Sequence, residues 1–276
     1  MAKRSLVLLP RTKVVIFGNC QGEALHKFFS LCLSPLKFDI KFYSNNVRTG
    51  EMKEKEAILR AIGNSHILIY QPLGTHHNEF SEYSLRKIVS NRTTLVSFPY
   101  FFNSGVYSLL YAPMAKSYQY GRIFGEEIIE DLLQKNSLEQ VIALYQKNEI
   151  DFALENRFSS SLLEMRKRDK FTDIKLTDYI AKNYKSKKLF LNHNHPTTAV
   201  FLEILSQLEN LLGIHLSYNQ INTNKQNLAN LSDTNSPISP YDVMTHKYEF
   251  EFHSDWFLKG KQLISLIAER TFSKNS

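Results

Sequence analysis

Cysteine is almost missing from this chain: Cys20 and Cys32 are the whole complement. Two thiols cannot form a disulfide framework, so the fold has to rest on an apolar core, and a reducing, cytoplasmic setting fits that usage. Long apolar runs are missing as well. No stretch approaches the roughly 20 apolar residues of a membrane-spanning helix, which argues against membrane insertion. The early run Leu6-Val7-Leu8-Leu9 stops at Pro10 and is followed by Arg11 and Lys13, too short for a secretory signal. Metal-ligand spacing is absent too: His76-His77-x-Glu79 fits no zinc template and reads as a loop without metal. There is no internal repeat. There is also no nucleic-acid signature, because the Tyr and Phe residues follow core periodicity rather than forming a stacking platform.

What remains is ample for a globular fold. With 276 residues, 43% of them hydrophobic, the chain can bury a large core as one elaborated domain or as a domain with an insertion. It carries 34 basic and 27 acidic residues, a net charge of +7. The bases are denser at Arg166-Lys167-Arg168 and between Lys182 and Lys188. Such patches suit an anionic ligand such as a nucleotide cofactor, although solvated lysines on helix faces are the commoner reason for any one of them.

Organisation follows from periodicity. Val14-Val15-Ile16-Phe17 reads as a buried parallel strand, and after a turn, Gly18-Asn19-Cys20-Gln21-Gly22, the apolar residues Leu25, Phe28, Phe29 and Leu33 recur with helical spacing. Phe38 to Tyr43, Ile67 to Tyr70 and Thr94 to Phe98 read as further strands, with helices from about 50 to 62 and from 82 to 90 between them. Alternation at this spacing predicts an α/β fold with a central, mostly parallel sheet and right-handed crossovers. Ligands in such sheets bind beyond the carboxyl ends of the strands, so Cys20, Gln71 and Tyr100 are expected to face one crevice.

From about 125 to 186 the pattern turns helical, with Ser137 and Gln140 as a capping box, and reads as an insertion. Lys188 to Leu191 is expected as a short strand leading into Asn192-His193-Asn194-His195-Pro196-Thr197. A helix from Thr198 to Leu212 follows, stopped by Gly213. Residues 217 to 242, rich in Asn and Ser, are expected as a polar loop. Tyr248, Phe250 and Phe252 alternate as an extended segment, and Ser254 is expected to cap a last helix carrying Trp256, Leu263, Ile264 and Ile267.

The chemistry-bearing residues are few. Acyl transfer needs a nucleophile, a base and a group that orients the base, and Cys20, His195 and Asn192 can fill those roles. A thiol at the start of a helix is expected to have a lowered pKa. Asn19 and Gln21 could offer amide donors to an oxyanion or acyl carbonyl, Gly18 and Gly22 close backbone approach, and Gln71 and Tyr100 ligand contacts. The plain alternatives are that Cys20 is a small buried hydrophobe and that the others are turn residues; Cys32 reads as core, and His193 as the exposed neighbour of His195.

Gly18-Asn19-Cys20 stands where SGNH (GDSL-like) hydrolases carry glycine-aspartate-serine, and Asn192-x-x-His195-Pro196 where they carry aspartate-x-x-histidine-proline. Together with Tyr70-Gln71-Pro72-Leu73, Phe98-Pro99-Tyr100-Phe101 and His195-Pro196-Thr197, the opening motif resembles the WcbI family of polysaccharide biosynthesis proteins, from about residue 13 to 212. The resemblance implies a single SGNH-like three-layer α/β/α domain over residues 1–276. It also implies binding of coenzyme A or acetyl-CoA, and O-acetylation of a capsular or other surface sugar as the glycan partner. With cysteine in place of serine and asparagine in place of aspartate, three readings stay open: an acetyltransferase, an esterase or thioesterase, and a catalytically silent CoA- or glycan-binding protein.

Overall fold

Strand β1 (Thr12–Gly18) is apolar on both faces because both are covered: Val14 to Gly18 are all buried. In a computed structural model, which describes residues 10–45, 52–109, 125–223, 238–250 and 256–273, it lies inside a parallel sheet with β2 (Phe38–Ser44), β3 (Ile67–Tyr70) and β4 (Thr94–Ser97). The strand order is β2-β1-β3-β4, and Val14 pairs with Ile40 on one side and Ile67 on the other. The connections run outward from β1 in opposite directions, so the order reverses between β1 and β3. That reversal is the place where open parallel sheets leave a crevice beyond the strand ends.

The chain divides into two units. The first draws on residues 1–100, 168–176 and 201–228, the second on 101–167, 177–200 and 229–276.

In the first unit the sheet is covered on both faces. Val15, Phe17, Leu68 and Tyr70 pack against Ile58 and Ile62 of α2 (Met52–Gly63), Leu85 of α3 (Glu82–Ile88) and Phe80, whose ring lies 5.5 Å from that of Phe17. On the other face lies α1 (Cys20–Cys32), where Phe28 stacks at 4.8 Å on Phe201 of α8 (Thr198–Leu212). Each such buried side chain contributes roughly 1.5–3 kcal/mol. α8 spans the expected residues and ends at Gly213, whose φ of 62° is a left-handed cap that glycine adopts without strain. Asp173 binds the end of β4, accepting from the Ser97 backbone N–H at 2.7 Å and from its hydroxyl at 2.6 Å. The expected start of α2 at residue 50 lies outside the described residues.

The second unit is helical. α4 (Glu126–Leu133), α5 (Leu138–Gln146), α6 (Leu154–Asp169) and α7 (Thr177–Asn183) fill the stretch read as helical from sequence, and the Ser137–Gln140 capping box is present. Ile129, Leu133, Val141 and Tyr145 pack with Leu263, Ile264 and Ile267 of α11 (Trp256–Ser273). Residues 217 to 242 are not all loop. α9 (Asn219–Thr223) and α10 (Pro240–His246) begin within them, α10 with a second capping box, Ser239 and Asp242, and a proline in its first turn; 224–237 lie outside the described residues. Lys188 to Leu191 joins no sheet: Phe190 makes a single antiparallel bridge to Pro196, so the segment turns back on itself. Tyr248 and Phe250 form no strand, and Phe252 and Ser254 lie outside the described residues.

One strap of this unit, Ser104 to Ser108, has its backbone held from several sides. The Arg157 guanidinium donates to the carbonyls of Ser104 and Tyr107, the His246 ring to that of Gly105 at 2.6 Å, and the Tyr248 hydroxyl to that of Val106 at 2.7 Å. The Ser108 N–H donates to the buried Asp242 carboxylate at 2.8 Å. Among the described residues no helix is long and apolar enough to cross a membrane.

Candidate functional site

The Cys20 turn is built by a closed circuit of amides. Asn19 caps α1, its Oδ1 accepting from the Gln21 N–H at 2.9 Å. The Asn19 N–H donates to Gln71 Oε1 at 2.9 Å, and Gln71 Nε2 donates to Gln21 Oε1 at 3.2 Å. Gln21 and Gln71 are 1% and 3% exposed, so these two amides are buried and hold the half-buried Asn19 turn in shape. β1 and β3 thereby present Cys20 and Gln71 together at the point where strand order reverses.

Gly18 is required by the same packing: a Cβ there would come within 3.1 Å of both Gln71 Oε1 and the Phe98 ring. At Gly22 a Cβ would meet Phe42 and Phe98 at 3.4 and 3.6 Å. The space beside both glycines is thus taken by the protein's own side chains. Tyr100 follows β4 at the same end of the sheet. Its carbonyl accepts from Arg168 at 3.1 Å, and the guanidinium lies 5.6 Å from its ring.

Helix α1 begins at Cys20 itself, three residues earlier than a turn ending at Gly22 implies, and the thiol is exposed while Cys32 is buried. The expectation of a lowered thiol pKa is overturned. Crowding of its flank and the carboxylate of Glu23 push it up, against the N–H groups of Gln21 and of Cys20 itself, which pull it down. Desolvation wins because the helix terminus offers two partial charges while the neighbouring packing strips water from one side.

The second cluster is the turn from Asn192 to His195 in the second unit. Asn192, 4% exposed, accepts at Oδ1 from the N–H groups of Asn194 and His195, at 3.1 and 3.0 Å, and lies 2.9 Å from His195 Nδ1. An oxygen that already receives two backbone N–H groups can only be an acceptor. His195 Nδ1 therefore carries the hydrogen, and Nε2 is left with its lone pair. Burial lowers the His195 pKa and keeps the ring neutral. The turn is closed by the Leu191 N–H donating to the His195 carbonyl at 2.7 Å. This is a base held in one tautomer.

His193 is half-buried rather than exposed, with its pKa lowered to about 4 by burial and by His195. Its carbonyl accepts from the Asn103 N–H at 2.7 Å, and the Phe102 ring meets its ring edge-on at 5.1 Å. Asn103 was not visible from sequence, where it is one more polar residue after an aromatic run. It is fully buried, and its Nδ2 has no partner among the described residues. Glu79 pairs with Lys55 at 2.8 Å, and the rings of His76 and His77 lie 4.1 Å apart. No group of three metal-binding side chains occurs among the described residues.

Comparison with known proteins follows the same motifs. The family described as the polysaccharide biosynthesis enzyme WcbI matches residues 13–217, which include Cys20, Gln71, Tyr100, Asn192 and His195. A solved structure of WcbI superposes with a TM-score of 0.72 at 19% sequence identity, covering 96% of each chain; at that identity the likeness is one of fold. That structure is described as the native protein without a disulfide bond between coenzyme A and one of its cysteines. No curated protein matches the sequence. With three quarters of its length matched by one family, the chain belongs to the WcbI family of polysaccharide biosynthesis enzymes.

Proposed function

We propose that the protein is an acetyl-CoA-dependent O-acetyltransferase that modifies a sugar of a capsular or other surface polysaccharide in the cytoplasm, the chain acting as one SGNH-like catalytic domain. The observation that carries this reading is the fixed tautomer of His195, whose Nε2 is a lone-pair base while Nδ1 is committed to Asn192. Acetyl-CoA, when bound, supplies an acyl group activated as a thioester.

The chain's own residues divide the remaining work. His195 Nε2 takes the proton of a sugar hydroxyl as its oxygen attacks the acyl carbonyl, and returns that proton to the departing thiolate. Asn192 stabilises the imidazolium in between. The start of α1, from Gly18 to Gly22, receives the thioester end, with the positive end of the helix dipole toward developing negative charge. Gln21 and Gln71 keep that turn rigid, and Tyr100 flanks it. That the WcbI structure is distinguished by lacking a disulfide bond between coenzyme A and a cysteine supports bringing the thiol end of the cofactor to Cys20. The raised pKa of Cys20 favours a positioning thiol and direct transfer over a covalent acetyl-cysteine.

Release of free coenzyme A from acetyl-CoA, followed with and without an O-deacetylated capsular oligosaccharide, tests the proposal. Acceptor-dependent release, lost in His195→Ala and retained in Cys20→Ser, is the expected result. Loss in Cys20→Ser together with an acetyl adduct on Cys20 would replace direct transfer by the covalent route. Steady release with no gain from the acceptor would make the protein a thioesterase, and no release at all a binding protein.

A further inference from the structure

The second unit carries a cleft of about 400 Å³ between the start of α6 and the end of α10, and no residue of the His195 turn lines it. Its size falls within the roughly 300–1,000 Å³ of small-molecule sites.

One wall is fixed before any ligand arrives. Asp151 Oδ1 accepts from the Ala153 N–H and from the Tyr241 hydroxyl, both at 2.8 Å. Ala153, with φ of 50°, holds the left-handed turn that leads into α6, and the Tyr241 ring packs edge-on against Phe152 at 5.7 Å. Below the rim, His246 anchors α10 to the Gly105 carbonyl. Side chains locked in this way lose little freedom on binding.

The lining offers donors and acceptors side by side. Glu155, Asn156 and Lys247 are exposed, Thr245 is half-buried, and Met244 adds an apolar surface that is 65% exposed. Carboxylates and amides pair with neighbouring hydroxyls, while a tyrosine ring and a thioether suit the C–H face of a sugar. Two carboxylates against one ammonium leave a negative balance, which disfavours phosphates and other anions. We infer that this cleft binds a neutral hexose unit of a glycan. The inference rests on the reading of this chain as one that handles a glycan, and it does not depend on acetyl transfer.

Ligand-observed NMR with the full chain, in the absence of coenzyme A, tests it directly. The probes are the methyl glycosides of glucose, galactose and mannose, with glucose 1-phosphate as the charged comparison. At least one glycoside binds, and Glu155→Gln and Asn156→Ala each weaken it by about tenfold or more, with thermal melting unchanged because both side chains are exposed. Asp151→Asn weakens it further, and its melting temperature shows whether the turn has survived. Absence of binding by all three glycosides, equal binding by the Glu155 and Asn156 variants, or stronger binding of glucose 1-phosphate than of the glycosides would overturn it. Because binding is read without acetyl-CoA, loss of this site and loss of the acetyltransferase reading give different results.

Discussion

Gln71 Oε1 lies 2.9 Å from the backbone N–H of Asn19, so a side chain at the end of β3 holds the residue that caps the helix bearing Cys20. Replacing Gln71 with Ala leaves that N–H without its acceptor and takes one donor from the Gln21 amide oxygen. At about 1–3 kcal/mol for an unsatisfied buried group, a loss of roughly 1–3 kcal/mol is expected. The urea midpoint falls while the denaturant slope stays the same; an unchanged midpoint would show that the circuit contributes nothing to stability.

Asn192→Asp keeps the acceptor for His195 Nδ1 and adds a negative charge beside it. The His195 pKa rises, so the acidic limb of the activity profile moves to higher pH, and NMR titration of the His195 ring reports the same shift. Asn192→Ala removes the acceptor and lowers turnover by about 10²–10⁴-fold. An unmoved pH limb in Asn192→Asp would disconnect the pair from catalysis.

Thiol alkylation separates the two cysteines. Cys20 is exposed with its pKa raised, so iodoacetamide labels it slowly at neutral pH and faster as pH rises, while buried Cys32, pushed up to about 11, stays unlabelled in the folded protein. Glu23→Gln removes a charge that opposes the thiolate and speeds labelling of Cys20 at pH about 8. Peptide mass spectrometry identifies the labelled residue, and a rapid, pH-independent reaction at Cys20 would contradict the raised pKa.

Two groups whose charged forms the fold disfavours give stability opposite slopes in acid. Folded His193 resists protonation down to about 4 while the unfolded chain protonates it near its ordinary value. The unfolded state then binds more protons, and stability falls as pH falls through that window. Asp242 keeps its proton up to about 6 when folded and loses it earlier when unfolded, so its contribution is lost as pH rises through that range. Melting curves from pH about 4 to 7 are therefore expected to flatten on the acid side in His193→Gln and to tilt the other way in Asp242→Asn. Parallel curves for the two variants would exclude these assignments.

What could be read from sequence was local in origin. The four strands and the first three helices follow from periods that each segment carries by itself, and the Asn192–His195 pair spans one turn. Lys188 to Leu191 has the apolar run of a strand, yet a return through Pro196 satisfies its backbone without a sheet, and no pattern within four residues reports that. α10 was legible in principle, since Ser239-Pro240-Tyr241-Asp242 is a capping box with proline in the first turn, but Asn- and Ser-rich neighbours hide it. The misjudged thiol is a different case. Helix position can be read from sequence, whereas desolvation depends on what packs beside Cys20. For the same reason Gly18 looked like room for a ligand: Gln71 and Phe98 fill that room from 53 and 80 residues away.

The strap from Ser104 to Ser108 also sets an order of events during synthesis. β1 to β4 are complete once Ser97 has been made, and their hydrogen-bonded ladder needs nothing later. The strap's partners Asp242, His246 and Tyr248 lie 134 to 142 residues downstream. At about 5–20 residues per second, the strap waits on the order of ten seconds on the ribosome before its Gly105 and Val106 carbonyls find their donors. The parallel sheet can form early, while the segment that holds the His193 carbonyl through Asn103 matures late, so a nascent chain passes through a stage in which the thiol turn exists before the histidine turn is fastened.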